Sequence, residues 1–320
     1  MAVAGGRLAT DLLDVTTDVA ALDSSGFWVV VAAFEGDVTC ARFGSVRPWS
    51  GVIDAWAPVG DWKSSLSQSE FATHVASIRD AIRDGDVYQV NVTRRLSARC
   101  EASSLLPLFA RFDAPHAAYV SLPQFGIEIA SASPELFLRR SGTVVESRPI
   151  KGTAAAGTRF LPKDRAENVM IVDLVRNDLG RVCEYGSVSV PALCAVESQP
   201  GLRHMVSTVR GRLRDGVGWG GLLAATFPPG SVTGAPKLAA VSMISKLEPV
   251  ARGPYCGAIG WVDADRRCGE LNVAIRTFWR AGGSVHFGTG GGITWDSTAD
   301  GEWEETEVKA RRLLALAAGS

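Results

Sequence analysis

Between Ala117 and Ser147 the chain reads as strand upon strand, and this constrains its fold more than any other feature. Ala118-Tyr-Val-Ser-Leu122, Gly126-Ile-Glu-Ile-Ala130 and Leu136-Phe-Leu-Arg-Arg140 follow one another, and a Ser141-Gly142 turn leads to Val144-Val145. No helical stretch separates them. Parallel neighbours need a crossover of a dozen residues or more, so such a run pairs antiparallel. The same grouping recurs. Phe27–Phe34 reads as a buried strand with Val38–Phe43 as its hairpin partner, and Gly257–Val262 and Leu271–Trp279 read as two long strands before Val285–Trp295. Shorter strands are expected around Val188, Val196 and His204–Arg212.

Helices fall between these runs. Phe71, Val75, Ile78 and Ile82 recur at helical spacing over Ser69–Asp84, and Gly85 ends the segment. Lys163–Arg176, Leu222–Thr226, a segment from Pro236 to about Leu247 and a final stretch from about Gly301 to Ala317 are the other predicted helices. Arg47–Ser69, rich in Trp, Pro, Gly and Ser, reads as a connection. Strand runs with helices between them predict an α+β fold with mainly antiparallel sheets.

With 320 residues, 46% of them hydrophobic, the chain can bury a large core. Its net charge of −1 and the lack of a basic run argue against a nucleic-acid surface. Phe27–Phe34 is too short to cross a membrane and the first residues do not read as a signal peptide, so a cytoplasmic protein is expected. The six cysteines show no Cys-x-x-Cys spacing, which argues against structural zinc and a redox pair.

Several patterns carry chemistry. Glu302, Glu305 and Lys309 share a face of the last helix, and Asp164 and Glu167 stand three apart on an earlier one. One carboxylate from each helix, with a substrate oxygen and waters, would suit Mg²⁺; two solvated helix faces would give the same spacing. In Gln89-Val-Asn91-Val-Thr93 a row of uncharged polar side chains occupies one face of a strand, as a solvated face or as the wall of a site. Gly290, Gly291 and Gly292 read as a glycine loop whose amides can approach an anion. Arg276 stands in a hydrophobic strand and needs an anionic partner. Glu135 follows Pro134 at a strand start, and Lys151 sits between Pro149 and Gly152.

Taken in order, Gly85–Thr93, Ser133-Pro-Glu135, Arg148-Pro-Ile-Lys-Gly-Thr153, Asp164–Asp178, Gly230-Ser-Val-Thr-Gly-Ala-Pro-Lys237, Ala274-Ile-Arg-Thr277 and Glu302–Thr306 resemble the motifs of the chorismate-utilising enzymes. The likeness runs from about Glu70 to the C-terminus. Within the family it looks most like the aminodeoxychorismate synthases: anthranilate synthases typically have alanine where this chain has Lys151, and salicylate and isochorismate synthases place a water-activating lysine where it has Gln89.

The resemblance implies one large domain with two stacked sheets flanked by helices and the site between them. Residues 1–66 would supply shortened N-terminal strands and a linker, and 67–320 the catalytic region. It implies Mg²⁺ on Glu167 and Glu305, with Asp164 and Glu302 holding its waters. Thr233, Tyr255, Arg276, Lys309 and the amides of Gly290, Gly291 and Gly292 would hold the carboxylates of chorismate, with Gln89 beside them. A neutral Lys151 amine would attack the ring, Glu135 would act as general acid, and His204 would hydrogen-bond near the substrate. A glutamine amidotransferase subunit would supply ammonia, and a separate lyase would release pyruvate afterwards.

Overall fold

The computed structural model describes residues 1–51, 55–155, 160, 162–199 and 202–319. Residues 52–54 of the Arg47–Ser69 connection therefore lie outside the described residues.

Every strand pairing among the described residues is antiparallel, and the pairings run unbroken through the molecule. From Gln89–Arg99 the ladder passes through Ser284–Ile293, Thr277–Ala281, Ile127–Ser131, Ala118–Leu122 and Ala2–Ala4. Arg7–Thr16 and Val38–Pro48 carry it on to Phe27–Ala32, Ala258–Asp263 and Cys268–Val273. It continues through Leu136–Ser141 and Val144–Arg148 to Leu202–Arg212, which both Ile150–Ala155 and Ser189–Gln199 join. The two expected sheets are thus halves of one sheet, linked by the N-terminal strands. They share a core: Val92, Val120 and Ile129 from one half and Val29, Leu138, Ile259 and Leu271 from the other belong to one buried cluster.

Six α-helices flank the sheet among the described residues: Gln68–Arg83, Leu106–Phe109, Pro162–Gly180, Trp219–Thr226, Lys237–Leu247 and Ala299–Ala317. The first is fixed by a capping box that begins before the expected start. The Ser67 hydroxyl accepts from the Glu70 amide at 3.3 Å, and the Glu70 carboxylate accepts from the Ser67 amide at 2.8 Å. Phe71 packs edge-on against Trp303 of the last helix, ring centres 5.6 Å apart, which ties these two helices together. The helix over Pro162–Gly180 lies instead on Leu202–Arg212 and Ile150–Ala155.

One expected strand is broken. Leu271–Trp279 is two strands, Cys268–Val273 and Thr277–Ala281, interrupted where Arg276 takes a left-handed φ of 53°. A non-glycine residue rarely adopts that conformation, and here it falls in the gap between the two strands. The strands expected separately around Val188 and Val196 are one strand, Ser189–Gln199, which begins just after Val188, and the one expected over His204–Arg212 starts earlier, at Leu202–Arg212.

Candidate active site

The two ends of the ladder come together around Lys151. Ile150 pairs with Val206 and Thr153 with His204, so Lys151 and Gly152 share the space opposite one residue, Met205. This is a β-bulge, a device that re-aims a side chain. Gly152 has φ +88°, and a Cβ there would stand 2.9 Å from the Asp164 Cβ. Glycine at 152 therefore provides the backbone turn and lets the acidic helix pack directly on the bulge.

The facing wall is built from Gln89–Arg99 and Ser284–Ile293. The glycine run is not a loop, as its composition suggested, but continuous strand: Gly290 pairs with Thr93, Gly291 with Val92 and Gly292 with Asn91. Its other edge continues past Phe287, whose pairing with Phe278 begins the Thr277–Ala281 ladder. Glycine is required here by what crosses the strand. A Cβ on Gly288 would fall 2.2 Å from the Tyr255 ring, and one on Gly291 would fall 2.8 Å from Glu302 Oε2. One on Gly292 would meet Gln89 Nε2 at 2.0 Å and Lys151 Nζ at 3.5 Å. The lysine amine of one end of the sheet thus abuts the glycine strand of the other. The polar row beside it is a wall and not a solvated face: Gln89, Asn91 and Thr93 are all buried. Gln89 Nε2 donates to Glu167 Oε2 at 3.1 Å, and Thr93 donates to Glu248.

Between the walls lies a cavity of about 560 Å³, a size suited to a small-molecule ligand. Lys151, Glu135, Asp164, Glu167, His204 and Tyr255 line it. So do Arg276, Gly290, Gly292, Glu305 and Lys309. Gln89, Gly291 and Glu302 stand directly behind the lining. Thr233 is set apart: it is fully buried, and its hydroxyl is 3.2 Å from the carbonyls of Pro229 and Gly230. Ser231, two residues before it, lines the cavity in its place. Lys163 and Arg312 also face the cavity and were missed from sequence. Arg312 could have been found by extending the Glu305 and Lys309 stripe one helical turn.

Burial dominates the electrostatics. It pushes the Glu135 carboxyl up to about 7, against the opposing pull of Ser231, Lys151, the Ile150 backbone and Lys309. Burial pushes His204 down to about 4, helped by Arg276, so the imidazole is neutral near pH 7. Arg276 itself is lowered by burial and then by Arg312. Tyr255 is raised well above its ordinary value by burial and stays a neutral phenol.

The carboxylates differ among themselves. Glu167 is raised, by burial first and by Glu305 in part. Glu302 is likewise raised by burial and Glu305. Burial also acts on Glu305, but Lys309 at 2.7 Å, with Lys163 and Lys151, outweighs it and holds that carboxyl low. Ser297 donates to Glu302 Oε1 at 2.6 Å, whereas the buried Oε2 has no hydrogen-bond partner among the described residues. That oxygen and Glu305 Oε1 lie 2.8 and 3.8 Å from one point, the Cβ position of Gly291. Among the described residues no three acidic, His or Cys side chains converge to enclose a cation alone. An all-oxygen set of one or two carboxylates with an orphaned oxygen beside them fits the way Mg²⁺ is held, with substrate and water completing the shell.

Residues 54–315 match the profile of the chorismate binding enzyme family. Anthranilate synthase component 1 1 of Haloarcula marismortui is 40% identical over 79% of this chain and 54% of that protein. Aminodeoxychorismate synthase component 1 of Escherichia coli is 38% identical over 79% of this chain and 59% of that protein. The chain spans between half and two thirds of the length of these curated relatives. In fold, it superimposes on anthranilate synthase component I from Streptococcus pneumoniae with a TM-score of 0.83 at 23% identity, over 96% of this chain and 91% of that one. The menaquinone-specific isochorismate synthase of Escherichia coli gives 0.79 at 16% identity, over 97% and 85%. The family match covers most of the sequence, and the chain belongs to the chorismate binding enzymes.

Proposed function

We propose that the chain acts as component I of an aminodeoxychorismate synthase, converting chorismate and ammonia to 4-amino-4-deoxychorismate. The observation that carries the reading is the placement of Lys151: a primary amine on the cavity lining, with the buried Glu135 carboxyl and the Glu167–Glu305 pair on the same lining. An alanine in that slot would leave no amine, and a lysine at 89 would supply a base for water; this chain has Lys151 and the neutral Gln89.

The chemistry follows from the side chains. The Lys151 amine attacks C2 of the ring, the double bonds shift, and the C4 hydroxyl leaves as water with a proton from Glu135. Glu135 suits that part because burial keeps it protonated up to about pH 7. Ammonia then attacks C4, the double bonds shift back, and the lysine is expelled. Arg276, Lys309, Tyr255 and the glycine strand would hold the carboxylates, and the neutral His204 would hydrogen-bond near the substrate. Glu167 and Glu305 would hold Mg²⁺, with Asp164 and Glu302 on its waters, to offset the charge of a substrate carboxylate. Several relatives carry "component 1" in their names, which supports a separate glutaminase as the ammonia source. Release of pyruvate would fall to a separate lyase.

The test is product analysis. Purified chain with chorismate, Mg²⁺ and ammonium is expected to yield 4-amino-4-deoxychorismate by mass spectrometry. Anthranilate as the main product overturns the reading.

A further inference from the structure

The bulge that aims Lys151 leaves a backbone problem, and one side chain answers it. A bulge interrupts the ladder and strands polar backbone groups, which burial makes costly. Asn168 is fully buried on the acidic helix, one residue beyond Glu167. Its Nδ2 donates to the Met205 carbonyl at 3.1 Å and, more weakly, to the Lys151 carbonyl at 3.4 Å. These belong to the residue opposite the bulge and to the bulged residue itself. Its Oδ1 accepts from the Ser207 hydroxyl and from Cys194 Sγ at 3.6 Å. Both faces of the amide are thus used, and the acceptor side anchors the donor side in one orientation.

We propose that Asn168 is a positioning residue that holds the Lys151 bulge and fixes the amine against the carboxylate pair. Glu167 and Asn168 are neighbours on one rigid helix. A shift of the bulge relative to that helix is therefore a shift of the amine relative to Glu167. Asn168 couples the two ends of the reacting geometry without touching the substrate. The proposal rests on Lys151 as the attacking amine for its effect on rate, but its effect on the position of Lys151 is independent of that reading.

The experiment compares Asn168→Asp and Asn168→Ala with Ser207→Ala. Asn168→Asp keeps the shape and the bond from Ser207 but loses the donor; Ser207→Ala removes one of the two anchors on the acceptor side, and the acceptor of the Cys194 amide, but leaves the donor in place. Lys151 accessibility is read in the full chain by isotope-coded reductive methylation, with the other lysines as internal standards, alongside kcat, KM and thermal unfolding. Both Asn168 variants are expected to label Lys151 severalfold faster than the wild type. Their kcat should fall about a hundredfold, the cost of roughly 1 Å of misplacement, with KM little changed. Ser207→Ala should stay near wild type in both readouts. Unchanged Lys151 labelling in a folded Asn168→Asp overturns the proposal, as does an equal loss in Ser207→Ala, which would mark ordinary helix packing. If Asn168→Ala does not fold, Asn168→Asp decides. Full turnover by Lys151→Ala would instead sink the proposed reaction, leaving the labelling result to judge Asn168.

Discussion

Two charged clusters meet at the Gln89–Arg99 strand, and they are built on opposite principles. In the first, Arg252 and Glu248 form a closed pair at 2.7 Å with side chains almost wholly buried. The guanidinium also donates to the carbonyls of Val232 and Asn91, and stacks over Phe34 at 4.3 Å. Glu248 accepts in addition from the amide and hydroxyl of Thr93. Burial opposes the charge of Arg252, but Glu248 more than restores it, and the arginine is held above its ordinary value. In the second, Lys151, Glu135 and Glu167 on the cavity lining and Glu302 behind it have their charges poorly matched. Among the described residues Glu302 Oε2 has no hydrogen-bond partner, and all three carboxyls, Glu135, Glu167 and Glu302, are raised. Asn91 belongs to both, since its carbonyl serves Arg252 while the residue lines the cavity. Charges that hold the fold are satisfied within it, whereas charges that await a ligand are not.

The contrast can be broken from either side. Lys151→Ala should lower turnover by about 10³-fold or more, the scale of removing a nucleophile, with little change in thermal unfolding. Arg252→Ala should do the reverse. It leaves Glu248 buried without its cation and should cost about 3–5 kcal/mol of stability, read by denaturant unfolding. A folded, stable Arg252→Ala with altered kinetics would erase the distinction between the clusters. Glu135→Gln should slow turnover by about 10²–10⁴-fold. In the wild type the sign is set by the raised carboxyl: its proton is lost as pH rises through about 7, so turnover should decline above that value. That limb should vanish in Glu135→Gln, and a persistent limb would assign it to another group.

How far the sequence foretold this depends on the kind of signal. The helix over Gln68–Arg83 was legible because apolar spacing is local and periodic, and only its Ser67 cap was overlooked. The glycine strand was misread because glycine is a poor strand former. Its reason for being strand lies in Tyr255, Glu302 and Gln89, which cross it from elsewhere in the chain. The polar row of Gln89, Asn91 and Thr93 was ambiguous for the same reason, since alternation gives a face but not what covers it. The break at Arg276 left no mark in an apolar stretch. Thr233 was taken from its motif, but backbone carbonyls claim its hydroxyl and Ser231 has the cavity. Lys151, Glu135, Glu167 and Glu305 share the cavity lining, and it is the family's motifs, not their spacing, that group them in the sequence.

The smallest effect tests the contrast most sharply, because its sign is unusual. Deleting a buried charge normally destabilises, as at Arg252. Glu302 should behave otherwise. Its Oε2 is buried, the Glu305 charge acts on it, and among the described residues its carboxylate has one ion pair, Lys163 at 4.0 Å from Oε1. Gln at 302 keeps the acceptor for Ser297 and places an N–H donor near Glu305 in place of a second charge. Without metal, Glu302→Gln should be more stable than the wild type by about 1–3 kcal/mol, the cost of leaving such a group unsatisfied. The pH dependence has a definite sign. Glu302 is raised in the folded chain by burial and then by Glu305, so the folded state holds this proton more tightly than the unfolded one. The contribution is full below the ordinary carboxylate value and is lost as pH rises through the raised one; Gln removes that slope. Added Mg²⁺ should then raise the melting temperature of the wild type more than that of the variant. A variant less stable than the wild type without metal, or equally stabilised by Mg²⁺, would mean that Glu302 is as well satisfied as Glu248, and the two clusters would no longer differ in kind.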